Sequence, residues 1–326
     1  MAPFALALQG IAVVAPDYAG LGVGSLPSGA EILHPWLAGP LQANDLAHAV
    51  TAARAAFPTL LRPAGPFVAL GHSQGGAAAW GLAERQARRP LPGYRGTVAL
   101  APAVRIFDQL DEALHAHAAG PTAAGPIAAL GIAPKLIAGV TAAFPAYNYA
   151  GFTSLTAYRW HKVLKPKQGC LPADTLAFDG VTPEDLAVRD WQEHPTVRAY
   201  ANLSRLGGRE LQGPMLVITG DVDVIVSAKS VEGAADETCR FPQRGGSAGI
   251  ELITYKGAGH FPLIQASQGR WMNWVKERLR SPENEKLPAC SKKTVEGLRS
   301  AFSVPAQLPN FLVTWAPAAE FWKYLL

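Results

Sequence analysis

The stretch Phe67–Gly76 (FVALGHSQGG) decides the fold. Its first four residues are an apolar run typical of a buried parallel strand, and the Ala-rich residues after it favour a helix. Gly71, Ser73 and Gly75 fit the pattern Gly-x-Ser-x-Gly, in which a nucleophilic serine sits on a tight turn between a strand and a helix. Glycine at the flanking positions lets the backbone pass without a Cβ clash. The sequence therefore predicts a nucleophile elbow at Ser73.

Strand and helix patterns alternate on both sides of this turn. Because strands that alternate with helices pair in parallel, the chain is predicted to be an α/β protein with a mostly parallel, doubly wound sheet. The predicted strands are residues 11–17, 67–70, 97–101, 214–220 and 250–255, and the predicted helices are residues 42–57, 74–89, 227–238 and 264–280.

One long segment interrupts the alternation. Residues 104–210 have the pattern of helices and loops with Gly/Pro-rich joints, so we expect an insertion into a single sheet domain. Residues 1–103 and 211–280 would then form the two parts of the core. Residues 281–326 are an extension that no pattern places.

Composition limits the class of protein. Only 17% of the 326 residues are charged, which indicates a globular protein with a large apolar core. The net charge of +4 comes from scattered Lys and Arg, without the basic block typical of a nucleic-acid-binding protein, and we expect no nucleic-acid partner. No segment has the pattern of a secretory signal. The apolar run 123–146 contains Lys135 and several prolines, which favours a buried or mobile apolar cover over a membrane span.

A serine nucleophile needs a base and an acid, which follow it in the order Ser, acid, His in this type of fold. The acid should leave the end of a strand, and Asp223 does so in Gly220–Val226 (GDVDVIV). Asp221 is the rival acid. His260, in the small-residue loop Gly257–Phe261 (GAGHF) just past the last predicted strand, is the expected base.

The first residue of the helix after the elbow is the expected oxyanion donor. Gln74 opens that helix, so its backbone N–H should point at the reaction site. The other histidines are expected to have ordinary surface or core roles, and His72 should point away from the reaction site; they are His34, His48, His72, His115, His117, His161 and His194. The three cysteines have no metal-ligand spacing.

These residues give the chain a family resemblance. It resembles the fungal secretory lipases, the family of lipase A, over about residues 3–280. The resemblance is carried by Val13–Gly20 (VVAPDYAG), Gly71–Gly76, Gly169–Pro172 (GCLP) and the segments around Asp223 and His260. It implies an α/β-hydrolase that acts on triacylglycerols and simpler esters.

The resemblance implies more about the setting of the enzyme. Residues 104–210 would be a helical cap over an acyl-binding pocket, and the protein would act outside the cell, at a lipid–water interface, with no cofactor. Cys239 and Cys290 resemble a family pair that forms a disulfide. The family partner of Cys170 would lie upstream of this chain.

The N-terminus departs from the family pattern. The family has a long N-terminal region that holds the first strands and the loop supplying the other oxyanion donor, whereas this chain begins in the helix that normally follows that loop. Only one strand signal precedes the elbow strand. We therefore expect an N-terminally truncated sequence, and its missing signal peptide has the same explanation.

Two alternatives to ester hydrolysis remain open at this point. The same triad could transfer the acyl group to an alcohol other than water or cleave an amide. A hydrolase fold without its N-terminal strands could also be catalytically inactive and serve in binding, because losing one oxyanion donor typically costs about 100- to 1,000-fold in turnover.

Overall fold

A single parallel sheet organises the chain. The computed structural model describes residues 2–118, 132–169, 171–244, 247–281 and 289–296. Its five strands pair in chain order, β1 with β2 through to β4 with β5, and every pair is parallel. The α/β fold and its parallel sheet, predicted from the alternating pattern, are confirmed. The strands are β1 (Phe67–His72), β2 (Tyr94–Leu100), β3 (Met215–Gly220), β4 (Ile250–Tyr255) and β5 (Ser291–Val295).

Helices connect these strands and fill the insertion. They are α1 (Ala2–Ala7), α2 (Gly39–Ala56), α3 (Gln74–Gln86), α4 (Ile106–Ala118), α5 (Ala133–Ala143), α6 (Ser154–Arg159), α7 (Leu171–Ala177), α8 (Pro183–Leu186), α9 (Pro195–Ser204), α10 (Ala228–Arg240), α11 (Pro262–Ala266) and α12 (Gln268–Arg280). Short 3₁₀ turns at Pro145–Tyr147 and Trp191–Glu193 and a π-helical turn at Trp160–Leu164 complete the described elements. None of the helices in the described ranges is long and apolar enough to cross a membrane.

Helices cover both faces of the sheet. Successive residues of a strand point to opposite faces. Val98 of β2 belongs to the same buried cluster as Trp271 and Trp274 of α12, whereas the neighbouring Thr97 donates a hydrogen bond to Ala79 O of α3 (3.3 Å). The central strands β2 and β3 are therefore buried on both sides, which explains their mostly apolar sequences.

The predicted strand at residues 11–17 is wrong. These residues follow α1 without pairing to any described strand. On the edge of β1 away from β2, the described residues supply no partner strand, so the apolar run has no ladder to join. Val13 and Val14 remain 39% and 47% exposed. An apolar run becomes a strand only where a partner can satisfy its backbone groups.

Strand β5 was not expected from the sequence. Its residues SKKTV are almost all exposed, so no apolar alternation indicated them. β5 pairs with β4 over five positions, and a disulfide joins Cys239, near the end of α10, to Cys290, which immediately precedes β5. The cross-link thus anchors the last described strand to α10.

The chain divides into two compact units. The first comprises the described residues within 1–17, 38–106 and 204–304, and includes the sheet; the second comprises residues 18–37 and the described residues within 107–203. Residues 18–37 precede the elbow strand in sequence but group with the helical insertion. The predicted cap role of residues 104–210 stays a prediction, and part of the segment, with Cys170, lies outside the described residues.

A buried ion pair holds the second unit together. Lys135 Nζ of α5 lies 2.7 Å from Asp174 Oδ2 of α7 and donates to Gly169 O at 3.1 Å. The same ammonium group lies 3.7 Å from the ring centroid of Trp36. Tyr200 OH of α9 donates to Trp36 O (2.6 Å). Residues 133–141, within the described part of the apolar run 123–146, are buried, as expected.

Removing the disulfide should destabilise the first unit. Cys239 and Cys290 lie 51 residues apart, and closing a loop of that length restricts the unfolded chain by up to about 4 kcal/mol. We expect the double variant Cys239→Ser/Cys290→Ser to lose about 2–4 kcal/mol of unfolding free energy, measured by urea denaturation. Cys170→Ser, which leaves the bond intact, is the matched control. An unchanged urea midpoint in the double variant would contradict this expectation.

Candidate active site

Ser73 occupies a sharp turn between β1 and α3. Its backbone has φ 57° and ψ −120°, a combination that L-residues rarely adopt. Three hydrogen bonds hold this conformation. Ser73 N donates to Leu100 O (2.9 Å), and Ser73 O accepts from Ala77 N (3.0 Å) and Ala103 N (3.2 Å). The end of β2 and the residues just after it therefore fix the turn, and Ser73 is partly exposed there.

The turn requires glycine at Gly71. A Cβ added to Gly71 would lie 2.0 Å from Gly75 O, because the chain folds back on itself between these two residues. The next glycine, Gly76, is also confined: its Cβ would lie 2.9 Å from Leu100 O. The close approach gives a physical reason for the spacing of the motif.

Asp223 and His260 contact each other. His260 Nδ1 lies 2.7 Å from Asp223 Oδ2, and the two side chains are 3% and 0% exposed, respectively. Asp223 Oδ1 accepts from the backbone N–H of Ile225 and of Val226, each at 2.8 Å. Because a carboxylate only accepts, Nδ1 of His260 carries the hydrogen and Nε2 is left as an acceptor. This is the tautomer that a general base needs.

Asp221, the rival acid, has a different partner. It is exposed, and its Oδ1 accepts a hydrogen bond from Gly257 N at 2.7 Å. Gly220 passes close to the same loop, since an added Cβ would lie 2.0 Å from Ala258 O. Asp221 and Gly220 therefore support the loop that carries His260, whereas Asp223 is the carboxylate of the two that contacts the imidazole.

His72 lies in the site, although it was expected to point away from it. Its ring packs beside that of His260, with centroids 4.4 Å apart, and its Nε2 lies 2.9 Å from His260 O. Burial, and secondarily the neighbouring His260, lowers the pKa of His72 to about 4. The sequence contained one signal for this contact, namely the position of His72 beside Ser73.

Other histidines have local structural contacts. His34 is buried, donates from Nδ1 to Ala19 O (2.9 Å), and has its pKa lowered to about 4, chiefly by burial. His194 accepts from Thr196 N, and His161 packs edge-on against Tyr149. His48 is exposed on α2. The side chains of His115 and His117 lie outside the described residues.

Gln74 is the first residue of α3, with Ser73 at the N-cap position. Its backbone amide therefore lies in the first turn of the helix, and the positive end of the helix dipole lies beside Ser73. Such an amide can donate to an oxyanion that forms on a substrate bound at Ser73.

Among the described residues, no group of three or more His, Cys, Asp or Glu side chains is arranged to hold a metal ion.

Comparison with known proteins gives the family and the fold. Residues 1–269 match the model of the "Alpha/beta hydrolase family". No curated protein matches the chain in sequence.

Several solved structures share the fold. Lipase A of Candida antarctica has a TM-score of 0.61 at 16% identity, over 79% of this chain and 59% of that one. A mutant of the rice cell wall degrading esterase LipA of Xanthomonas oryzae has a TM-score of 0.56 at 16% identity, over 76% and 68%. A hydrolase described as putative, from Legionella pneumophila, has a TM-score of 0.51 at 15% identity, over 83% and 71%. The resemblance to lipase A is thus confirmed in the fold, and the chain spans less than two thirds of the length of Candida antarctica lipase A.

The buried His72 should make stability depend on pH. Its folded pKa of about 4 lies below the ordinary value of 6.5, so at intermediate pH the unfolded chain binds a proton that the folded chain does not. Stability is therefore lost as pH falls through this range. Between pH 7 and pH 5 we expect His72→Gln, which cannot titrate, to lose about 2 kcal/mol less unfolding free energy than the parent.

Urea denaturation at the two pH values measures this difference. His48→Gln, at the exposed histidine, is the control and should keep the parental pH dependence. Equal losses in the parent and in His72→Gln would show that His72 contributes nothing to the pH dependence.

Proposed function

The chain belongs to the alpha/beta hydrolase family, and on this premise we propose that it is a serine-dependent carboxylic ester hydrolase acting through an acyl-enzyme on Ser73. The observation that carries the proposal is the 2.7 Å contact between His260 Nδ1 and the buried carboxylate of Asp223. All three residues belong to the first unit of the chain. The strained backbone of Ser73 at the start of α3 supports its role as the nucleophile.

Acylation begins with attack of Ser73 Oγ on the carbonyl carbon of the ester. His260 Nε2 takes the hydroxyl proton as the new C–O bond forms, and Asp223 stabilises the resulting imidazolium. The carbonyl oxygen becomes an oxyanion, for which Gln74 N–H is the proposed donor. When the tetrahedral intermediate collapses, the bond to the leaving alcohol breaks and His260 returns the proton to that alcohol.

Deacylation repeats the sequence with water. His260 Nε2 removes a proton from water, whose oxygen attacks the acyl carbon of the ester on Ser73. Collapse of the second intermediate releases the carboxylic acid and returns the proton to Ser73 Oγ. The buried carboxylate of Asp223 accepts three hydrogen bonds, from Ile225 N, Val226 N and His260 Nδ1. These hydrogen bonds hold the carboxylate against His260 Nδ1, so that it orients the imidazole in both half-reactions.

The proposed substrates are triacylglycerols and simpler esters. Support comes from the likeness in fold to a lipase and to a cell wall degrading esterase, and from the motifs that resemble the lipase A family. We also propose that the protein works outside the cell, at a lipid–water interface. The disulfide between Cys239 and Cys290 supports an oxidising compartment.

Replacing the proposed nucleophile tests the reaction directly. We expect the full chain to hydrolyse p-nitrophenyl butyrate or palmitate, and Ser73→Ala to lose about 10⁶-fold in kcat. Ser28→Ala, at an exposed serine in the second unit, is the matched control and should keep the parental rate. A fluorophosphonate probe should label the parent on Ser73.

Three results would count against this proposal. Turnover that persists in Ser73→Ala would exclude Ser73 as the nucleophile. Absence of both turnover and labelling in the parent would favour a binding role for the fold. Product analysis with a competing alcohol separates the remaining case, since an alkyl ester formed faster than the free acid would make the protein an acyltransferase.

The two carboxylates after β3 allow a matched test of the acid. We expect Asp223→Asn to lower kcat by about 10⁴-fold, because an amide that donates to Nδ1 would impose the wrong tautomer on His260. Asp221→Asn should stay within about threefold of the parent, because its amide oxygen can still accept from Gly257 N. Steady-state kinetics, with thermal unfolding as a check on folding, measures both. A larger loss of kcat in Asp221→Asn than in Asp223→Asn would indicate that Asp221, and not Asp223, is the acid of the triad.

A further inference from the structure

The side chain of His72 joins the nucleophile strand to the loop of the proposed base. His72 is the last residue of β1 and precedes Ser73 directly. Its Nε2 lies 2.9 Å from the backbone oxygen of His260. Because a carbonyl oxygen only accepts, Nε2 of His72 carries the hydrogen and donates it. The bond therefore ties the backbone of one histidine to the side chain of the other.

We propose that His72 is a positioning residue that holds His260 in place for proton transfer with Ser73. This inference rests on the proposed function and assigns a role within the same site. Asp223 fixes the ring of His260 through Nδ1, whereas His72 fixes its backbone through the carbonyl oxygen. Two separate attachments set both the position and the direction of the imidazole.

Other hydrogen bonds attach this loop to different parts of the fold. Gly257 N donates to Asp221 and Leu263 N donates to Gly259 O, so the loop is attached to the end of β3 and to the start of α11. Neither contact reaches β1. The bond from His72 links the His260 loop directly to the strand that ends at the nucleophile. A small shift of a reacting group can cost about 10²-fold in rate, so this link bears on catalysis.

The charge state of His72 suits this role. Its ring faces His260 and the carboxylate of Asp223, and burial holds its pKa at about 4. His72 is therefore neutral when His260 takes up a proton. A second positive charge 4.4 Å away would oppose that step. Phe261 packs on both rings, with centroids 5.7 Å from His72 and 5.0 Å from His260, and completes the contact.

Three substitutions separate the hydrogen bond from the ring. The amide nitrogen of Gln is as many bonds from Cβ as Nε2 of histidine, so His72→Gln can restore the donor. His72→Asn carries the same amide one bond closer to the backbone, where it should not reach His260 O. His72→Phe keeps an aromatic ring beside His260 without a donor. The Gln and Asn variants are thus a matched pair that differs in reach.

The full-length parent and the variants are compared by three measurements. These are kcat and KM for p-nitrophenyl butyrate, the rate of fluorophosphonate labelling of Ser73, and the low-field proton resonance of the bond from His260 Nδ1 to Asp223. The resonance is assigned by its loss in His260→Gln. Thermal unfolding identifies variants that do not fold.

We expect His72→Phe and His72→Asn to lower kcat by about 10- to 100-fold with KM within about twofold of the parent. Their low-field resonance should broaden or shift, whereas His72→Gln should keep the resonance and stay within about threefold of parental kcat. If His72 had a purely structural role, the substitutions would lower the unfolding temperature. The Gln variant would then not keep kcat and the resonance while the Asn and Phe variants lose them.

Two outcomes would overturn the proposal. The first is a His72→Phe variant with the parental kcat and the parental resonance. The second is an equal change in kcat and in the resonance for His72→Gln and His72→Asn. This second comparison tests the proposal even if His72→Phe does not fold. A parent protein that neither hydrolyses esters nor takes the fluorophosphonate label would refute the proposed function. The resonance does not depend on turnover, so it would still show whether His72 positions His260.

Discussion

The backbone of Ser73 is the constraint on which the site depends. A non-glycine residue at φ 57° and ψ −120° is strained by about 1–3 kcal/mol. It persists because β2 and the residues after it supply Leu100 O and Ala103 N as partners, and because Gly71 leaves room for Gly75. The parallel register, which sets His72 against Leu100, puts those partners where the turn needs them. The same turn starts α3, so the strained turn also places a helix N-terminus beside Ser73.

A second close approach of the backbone brings Asp223 and His260 together. Gly220 ends β3 against Ala258, where no side chain would fit. The register of β3 and β4 pairs Gly220 with Tyr255, so the loops after both strands leave the sheet side by side. Parallel strands end at one edge of a sheet, and ligand sites of open α/β sheets lie at that edge. The contact between Asp223 and His260 is therefore a result of topology, although the two residues are 37 positions apart.

The local sequence predicted the strands that helices cover on both faces. It failed for segments in which strand formation depends on a pairing partner. Phe67–His72, Met215–Gly220 and Ile250–Tyr255 are apolar because helices cover both sides of the sheet, and that pattern is legible without a structure. Residues 11–17 have the same pattern but no described partner, and β5 has a partner but no pattern. The position of His72 beside Ser73 was the one sequence signal for its contact with His260, and it was not enough, because the contact depends on the direction in which the side chain leaves a strained turn. Whether an apolar segment forms a strand thus depends on a neighbouring strand that can pair with it. In the same way, the contact that His72 makes depends on the residue that the fold places beside its ring.

The two carboxylates after β3 illustrate why burial matters more than spacing. Asp221 and Asp223 are two positions apart and have the same chemistry, but Asp221 is exposed and the side chain of Asp223 is fully buried. A buried carboxylate is costly unless its lone pairs are satisfied, and Ile225 N, Val226 N and His260 Nδ1 satisfy those of Asp223. When His260 is neutral, Asp223 accepts a hydrogen bond; when His260 takes a proton, the same contact becomes an ion pair with no rearrangement. A site that needs no reorganisation between the two charge states lowers the barrier to proton transfer, which water could not do at the same position.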